Sequence, residues 1–481
     1  MEEHEKKKIV KNLKWMTFSK IIIYLLSIIT ITLIPRYLGV EGYGQLNFII
    51  SFVSIFSIIG DLGLSTLIVR DLSKNTKKAK EYYNNLFLFK MFITVLFLIV
   101  VTVFAFILHN SPTTDLIIVY AVAVGLSTIS NFNISFLNAF QEIKYRAISD
   151  IIFKLMYTIG VIFVIFLNYK LFGIVIASVI SCLITMTFTF FIIKKYKLFA
   201  YLKINKKYIK QKVIQAFPFV LTSIFWMIYF SIDKIFITYF KGNYLTGLYS
   251  ISYTFIGFLI GSLTILYETF LPVLSSFSKN KEKLQQIVSK YIYLVYLLCV
   301  PATIGGIYLA PQIISLVFGE QYLGGTLTFQ LIMFFFLLNS VGRINYQILI
   351  TNHLEKYSLK ILGISALVNT LLNFIFVPWL GIVGAAITTI ISEIIIFILS
   401  YEKIKHIIKV PYFKQILLPV LASILMLFGL IIYNKVYPLG ILNSHFDVLI
   451  PIAIGCIIYI SALMLTKAIT IKQIKEILRN E

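Results

Sequence analysis

"PRYLGVEGYGQLNF", residues 35–48, sets an arginine, a glutamate and three glycines between two long apolar runs. So brief a polar break reads as a turn at a membrane surface, because glycine accepts the positive φ that a tight turn demands. The runs on either side, 15–34 and 46–69, each have the roughly 20 residues that cross a hydrocarbon core. Outward from this stretch the pattern continues to the end of the chain. Over 481 residues the hydrophobic fraction is 59%, mean hydropathy is +0.91 and charged residues make up 13%. A soluble domain carries about 25% charged residues, so the sequence describes an integral membrane protein of the all-α, polytopic class.

About fourteen spans are expected, continuing over 86–108, 116–140, 148–167, 172–193 and 213–240, then 244–270, 292–310, 327–350, 359–378, 382–400, 416–433 and 448–465. Short cytoplasmic loops retain Lys and Arg. Alternate loops hold 34 basic residues on one side and only Arg36, Lys170, Lys241 and Lys435 on the other. This asymmetry places both termini in the cytoplasm and the chain in the cell membrane. It also explains the net charge of +23 without nucleic acid, whose binding would need the basic residues gathered on one face. The longest loop, 194–212, reads as a surface connector with Tyr201, Ile204 and Tyr208 dipping toward lipid. Three scattered cysteines and five scattered histidines offer no disulfide framework and no metal-ligand spacing, and no cofactor is expected.

The chain repeats itself. "FGIVIASVIS" from Phe172 and "LGIVGAAITT" from Leu380 lie 208 residues apart, and "GQLNF" from Gly44 and "GLYSI" from Gly247 lie 203 apart. A repeat of six spans is even, so its two copies share one orientation across the membrane. The expected organisation is an N-terminal six-helix lobe over 1–200, a second over 201–410, and two further helices with a tail over 411–481.

Ionisable groups inside a bilayer face a cavity or a partner, because lipid penalises them by several kcal/mol. Lys20, Lys90 and Lys154 lie near cytoplasmic ends, where long stems snorkel to the headgroups. Asp61, in "GDLGL", is expected to pair with Arg70 or to cap a helix break. In "SIDKIFI" the adjacent Asp233 and Lys234 point about 100° apart on a helix, and Thr222, Trp226, Tyr229 and Asp233 form one stripe of the seventh span. Asn339, Arg343 and Gln347 follow at i+4 along the tenth span, where the guanidinium offers a planar fork for phosphate. Ser127, Asn131, Ser135 and Asn138 make a neutral polar line on the fourth span, and Asn369 and Asn373 lie on the eleventh. Glu393 is a counter-ion for Arg343 or, with Asp233, a site for a coupling proton or cation. For the asparagines, interhelical hydrogen bonding and cavity lining are equally good readings.

Together, "PRYLGVEGYGQLNFIISFVSIFSIIGDLGLSTLIVRDLS", "SIDKIFITYFKGNYLTGLYSISYTF" and "NTLLNFIFVPWLGIVGAAITTIISE" resemble the Wzx-like oligosaccharide flippases, or polysaccharide exporters, of the superfamily that includes the lipid II flippase and the multidrug and toxin extruders. The resemblance runs through the first twelve spans. It implies two parallel six-helix lobes around a central cationic cavity, with two helices appended, and carriage of polyprenyl-linked glycans. Matching positions such as Gly39, Gly44, Asp61, Gly63, Asp233, Gly247 and Gly381 are largely fold markers, so Arg343 rests on its own chemistry rather than on a motif. Arg36 either anchors to outer headgroups or rims a phosphate path.

The expectation is therefore a carrier, not an enzyme, that moves a lipid-linked oligosaccharide to the outer leaflet by alternating access. Arg343, Lys234 and Arg36 would attract phosphate, with Asn339, Gln347 and Asn131 as polar lining and Trp226 and Tyr229 stacking on sugar rings. Its partners would be the lipid-linked glycan, membrane lipids, and a glycan polymerase or glycosyltransferase. The nearest rival is a cation-coupled exporter of small organic cations on the same fold. A polytopic glycosyltransferase or polymerase is disfavoured, since no D-x-D occurs and no large extramembrane loop is present.

Overall fold

A computed structural model of the chain describes residues 2–108, 113–198, 205–436 and 448–466. Among these, ten helices are long and apolar enough to cross a membrane. Three of the ten turn a corner at a single glycine: α1 (Glu2–Asp61) at Gly39, α7 (Lys206–Ser276) at Gly242 and α11 (Glu355–Ile404) at Gly381. Each corner separates two spans, so the ten helices hold thirteen. The shorter α13 (Leu449–Leu465) supplies the fourteenth, in agreement with the hydropathy reading.

The corners explain the opening stretch. Gly39 has φ 70° and ψ 177°, and Gly242, 203 residues later, has φ 85° and ψ 175°. This backbone region is essentially restricted to glycine. The polar turn foreseen over several residues is thus a one-residue corner, and the repeat read from the letters recurs in the dihedral angles. Between α5 (Ile143–Leu167) and α6 (Lys170–Lys195) the corner is made differently, by Asn168 and Lys170 at φ 58° and 46°.

The chain divides into two compact units, Met1–Gly247 and Leu248–Glu481. In the first, α2 (Leu64–Leu72), α3 (Ala79–Leu108), α4 (Thr113–Ala139), α5 and α6 pack with α1 and the first segment of α7. An aromatic cluster of Tyr83, Phe87, Phe132 and Phe136 fills one end, and Tyr83 donates to Asn133 Oδ1 at 3.3 Å. In the second unit, α8 (Lys281–Tyr308), α9 (Ala310–Val317), α10 (Thr326–Thr351), α12 (Tyr412–Val436) and α13 accompany the rest of α7 and α11. Phe166 is 86% exposed and Phe413 92%; such exposure of large apolar side chains suits lipid rather than water.

Several expectations change at this level. Lys90 does not snorkel: it is fully buried, donates to the Gly60 carbonyl at 2.5 Å and stands 3.6 Å from Asp61. Lys154 turns inward too, donating to Thr30 Oγ1 at 2.8 Å. Asp61 therefore pairs with Lys90 rather than Arg70, which binds its neighbour Asp71 at 2.8 Å. The physical reason is local. Leu62 and Gly63, both at positive φ, end α1, and the freed carbonyl of the last turn needs a donor that Lys90 supplies. Tyr208 packs edge-on against Tyr82 at 5.8 Å instead of entering lipid; Tyr201 and Ile204 lie outside the described residues.

Candidate functional site

A cavity of about 560 Å³ opens in the first unit, among α1, α2, α4, α5 and α7. Its wall carries hydroxyls and amides from Ser57, Thr128, Asn131, Ser135, Asn138 and Ser223, with Asp61, Arg146 and Asp150 as its charges. The polar line read on α4 is real geometry: three of its four residues reach the cavity, and Ser127 is the one outside its lining. Asn131 is exposed into this space. Asn138 Oδ1 is buried and meets no hydrogen-bond donor among the described residues, which leaves an acceptor at the wall.

Each carboxylate here has its own cation. Asp61 accepts from Ser65 at 2.5 Å and faces Lys90 at 3.6 Å, while Asp150 stands 3.9 Å from Arg146 one helical turn away. The cavity is thus polar without being strongly anionic. Behind it, α7 presses close to the break at Gly63: a β-carbon there would stand 2.9 Å from the Ala216 carbonyl oxygen.

The other first-unit candidates, apart from Arg36, lie along α7. Lys234 lies 3.5 Å from Asn47 Oδ1 of α1, and Asp233 is buried at 1% exposure. Trp226 stacks on Phe230 with centroids 5.0 Å apart and meets Tyr229 edge-on at 6.4 Å. Tyr229 itself is buried. Arg36 sits beside the Gly39 corner, exposed.

In the second unit the i+4 line of α10 splits into different roles. Gln347 is buried with its amide engaged: Tyr291 donates to its Oε1 at 2.7 Å, and its Nε2 donates to the Tyr267 carbonyl at 2.8 Å. Arg343, one turn earlier, lies over the Tyr267 ring at 5.0 Å, a cation–π contact. Asn339 donates to Glu393 Oε2 at 3.3 Å, and Glu393 is 2% exposed. Of the two readings of Glu393, counter-ion of Arg343 or site for a coupling proton or cation, the structure adds to both this amide–carboxylate contact. Gly342 lies beside it: a β-carbon there would stand 3.0 Å from Glu393 Oε1. Asn369 and Asn373 are both buried on α11, Asn373 Nδ2 donating to the Asn369 carbonyl at 2.9 Å.

Sequence reasoning missed Ser57, Arg146, Asp150 and Ser223 as members of one cavity. The i,i+4 pair Arg146/Asp150 at the start of a span was a signal available in the letters. Nothing in the letters joined it to α4 or α7.

Comparison with known proteins places this geometry. The profile of the polysaccharide biosynthesis protein family matches residues 9–278. The chain is 23% identical over 409 residues to the capsular polysaccharide biosynthesis protein CapF of Staphylococcus aureus, covering 83% of this chain and 100% of that one. It is 24% identical over 418 residues to an uncharacterized membrane protein in the cps region of Klebsiella pneumoniae, covering 82% of each. Among solved structures, the lipid II flippase MurJ in an inward closed conformation matches with a TM-score of 0.76 at 17% identity, over 95% of this chain and 98% of that one. An inward-facing multidrug resistance transporter of the MATE family matches with a TM-score of 0.61 at 16% identity, over 80% and 94%. At these identities the structural likeness establishes the fold.

Proposed function

Since the chain belongs to the polysaccharide biosynthesis protein family, we propose that it is a flippase carrying a polyprenyl-linked oligosaccharide from the cytoplasmic to the outer leaflet by alternating access. The observation that carries this reading is the first-unit cavity, whose lining of serine, threonine and asparagine side chains matches the donors and acceptors of sugar hydroxyls. The exposed amide of Asn131 and the unmatched acceptor of Asn138 would bind the glycan. Arg343, Lys234 and Arg36 would draw the phosphate or pyrophosphate, and Asp233 and the Asn339–Glu393 pair would take the coupling proton or cation. No bond is made or broken in this scheme, so the protein acts as a carrier, with both termini in the cytoplasm and the lobes divided near residue 200.

Export of small organic cations, the rival reading on the same fold, would call for an anionic cavity. Asp61 and Asp150 are the acids of this one, but Lys90 at 3.6 Å and Arg146 at 3.9 Å offset them. The glycan reading is therefore favoured.

The test is translocation in proteoliposomes loaded with a polyprenyl-pyrophosphate oligosaccharide, followed by access of an external glycosidase. Wild type should expose the glycan; Asn131→Leu with Asn138→Leu, and separately Arg343→Ala, should slow transfer at least tenfold while leaving the unfolding temperature within a few degrees. Folded wild-type protein that moves no such lipid under proton and sodium gradients, yet moves an organic cation, would overturn the reading.

A further inference from the structure

A second recess in the first unit has a different chemistry. Between α3 and the start of α7 a groove of about 530 Å³ is walled by Phe89, Phe92, Val213 and Ile214 and headed by Lys206 and Lys210. Phe92 and Ile214 are each 63% exposed, so the groove faces out of the helix packing, toward lipid. Both lysines are exposed, and neither takes part in an ion pair among the described residues. They differ in this from Lys212, two residues beyond Lys210 and so on the other side of the helix, which binds Asp71 at 3.1 Å and lies over the Tyr82 ring at 4.4 Å.

The order of chemistry along the groove is directional. Lys206 and Lys210 share one helix face at i,i+4 and belong to the basic loop 194–212 that charge asymmetry assigns to the cytoplasm. Ile214 lies eight residues beyond Lys206 and four beyond Lys210, about 12 Å and 6 Å further along the helix, and lines the groove with Phe92. Cations at the headgroup level followed by an apolar trough at acyl depth complement an amphiphile with an anionic head and a hydrocarbon tail. A soluble anion would use only the lysines, and a neutral lipid only the trough.

We propose that this groove is a binding site for an anionic membrane phospholipid of the cytoplasmic leaflet, its phosphate held by Lys206 and Lys210 and one acyl chain laid between α3 and α7. The bound lipid joins the start of α7 to α3, next to the cluster in which Lys212, Asp71 and Tyr82 already join them. This inference stands apart from the identity of the transported substrate.

The experiment titrates phosphatidylglycerol, phosphatidylcholine or free glycerol phosphate into the purified full chain in detergent, reading bound lipid by native mass spectrometry and the unfolding temperature in parallel. Phosphatidylglycerol should bind and raise the unfolding temperature, with phosphatidylcholine and glycerol phosphate far weaker. Lys206→Gln with Lys210→Gln should weaken its binding about tenfold or more, given the attraction of each lysine for an anionic surface. Ile214→Trp, at an exposed position, should weaken it by obstructing the trough. Lys194→Gln with Lys195→Gln removes equal charge from the same membrane face and should leave it unchanged. Equal binding of the two lipids, equal loss in the Lys194/Lys195 variant, or full binding by the Ile214→Trp variant would each overturn the proposal.

Discussion

Gly44 and Gly247 oppose one another in reciprocal fashion. A β-carbon on Gly44 would stand 1.8 Å from the carbonyl oxygen of Asn243, and one on Gly247 would stand 2.0 Å from that of Val40. Val40 and Asn243 are themselves 203 residues apart, as are the two glycines, so the contact maps onto itself when the repeats are exchanged. Backbone approaches backbone here, which a flexible side chain cannot relieve. Gly44→Ala or Gly247→Ala should destabilise the protein by at least the roughly 1–3 kcal/mol of an overpacked core, read as a lowered unfolding temperature in detergent. Gly257, with nothing within 4 Å of an added β-carbon, is the control: its alanine variant should be neutral or slightly stabilising, as helix propensity favours alanine.

Gly242 separates backbone strain from crowding. It too has nothing within 4 Å of an added β-carbon, yet its φ is 85°. Gly242→Ala should therefore cost roughly 1–3 kcal/mol through the dihedral alone. A variant as stable as wild type would show that the corner is not built on that dihedral.

The Lys90–Asp61 pair calls for a double-mutant cycle. Lys90→Met leaves Asp61 facing an apolar side chain and orphans the Gly60 carbonyl that Lys90 now serves at 2.5 Å. Breaking a buried pair from one side costs roughly 3–5 kcal/mol, tempered here because the Asp61 side chain is 26% exposed. Adding Asp61→Asn should restore part of that loss. Strictly additive losses would mean that the two groups do not interact.

Asp71 predicts a pH dependence. Burial pushes its carboxyl up, but hydrogen bonds from Tyr82, Arg70 and Lys212, with the Lys212 charge, outweigh this and hold it below the ordinary 3.8. A depressed carboxylate contributes stability that is present above its unfolded value and is lost as pH falls through the folded one. Wild type should therefore lose stability on acidification below about pH 4. Asp71→Asn should be less stable at neutral pH and show a shallower acid limb in unfolding temperature against pH.

Much of this architecture is legible in the letters because its causes are local. A span is a matter of apolar length, and a corner at Gly39 or Gly242 is a matter of one residue's allowed dihedrals. The fourteen crossings and the 203-residue repeat follow from these. The polar line of α4 was readable for the same reason, since helical spacing puts Asn131, Ser135 and Asn138 on one face.

Spacing says which residues share a face but not what that face meets. Arg343 and Gln347 are one turn apart on α10, yet one lies over the Tyr267 ring while the other spends its amide on Tyr291 and the Tyr267 backbone. Lys90 looked free to snorkel until the end of α1 placed an unserved carbonyl beside it. Ser57, Arg146 and Ser223 are far apart in the chain and line one cavity. Sequence by itself determined the membrane, the number of crossings and the repeat, because those depend on each segment's own chemistry. Which charges are neutralised, which amides are satisfied and which groups share a cavity were decided only by the packing of the helices, because a buried polar group's state is set by its neighbours.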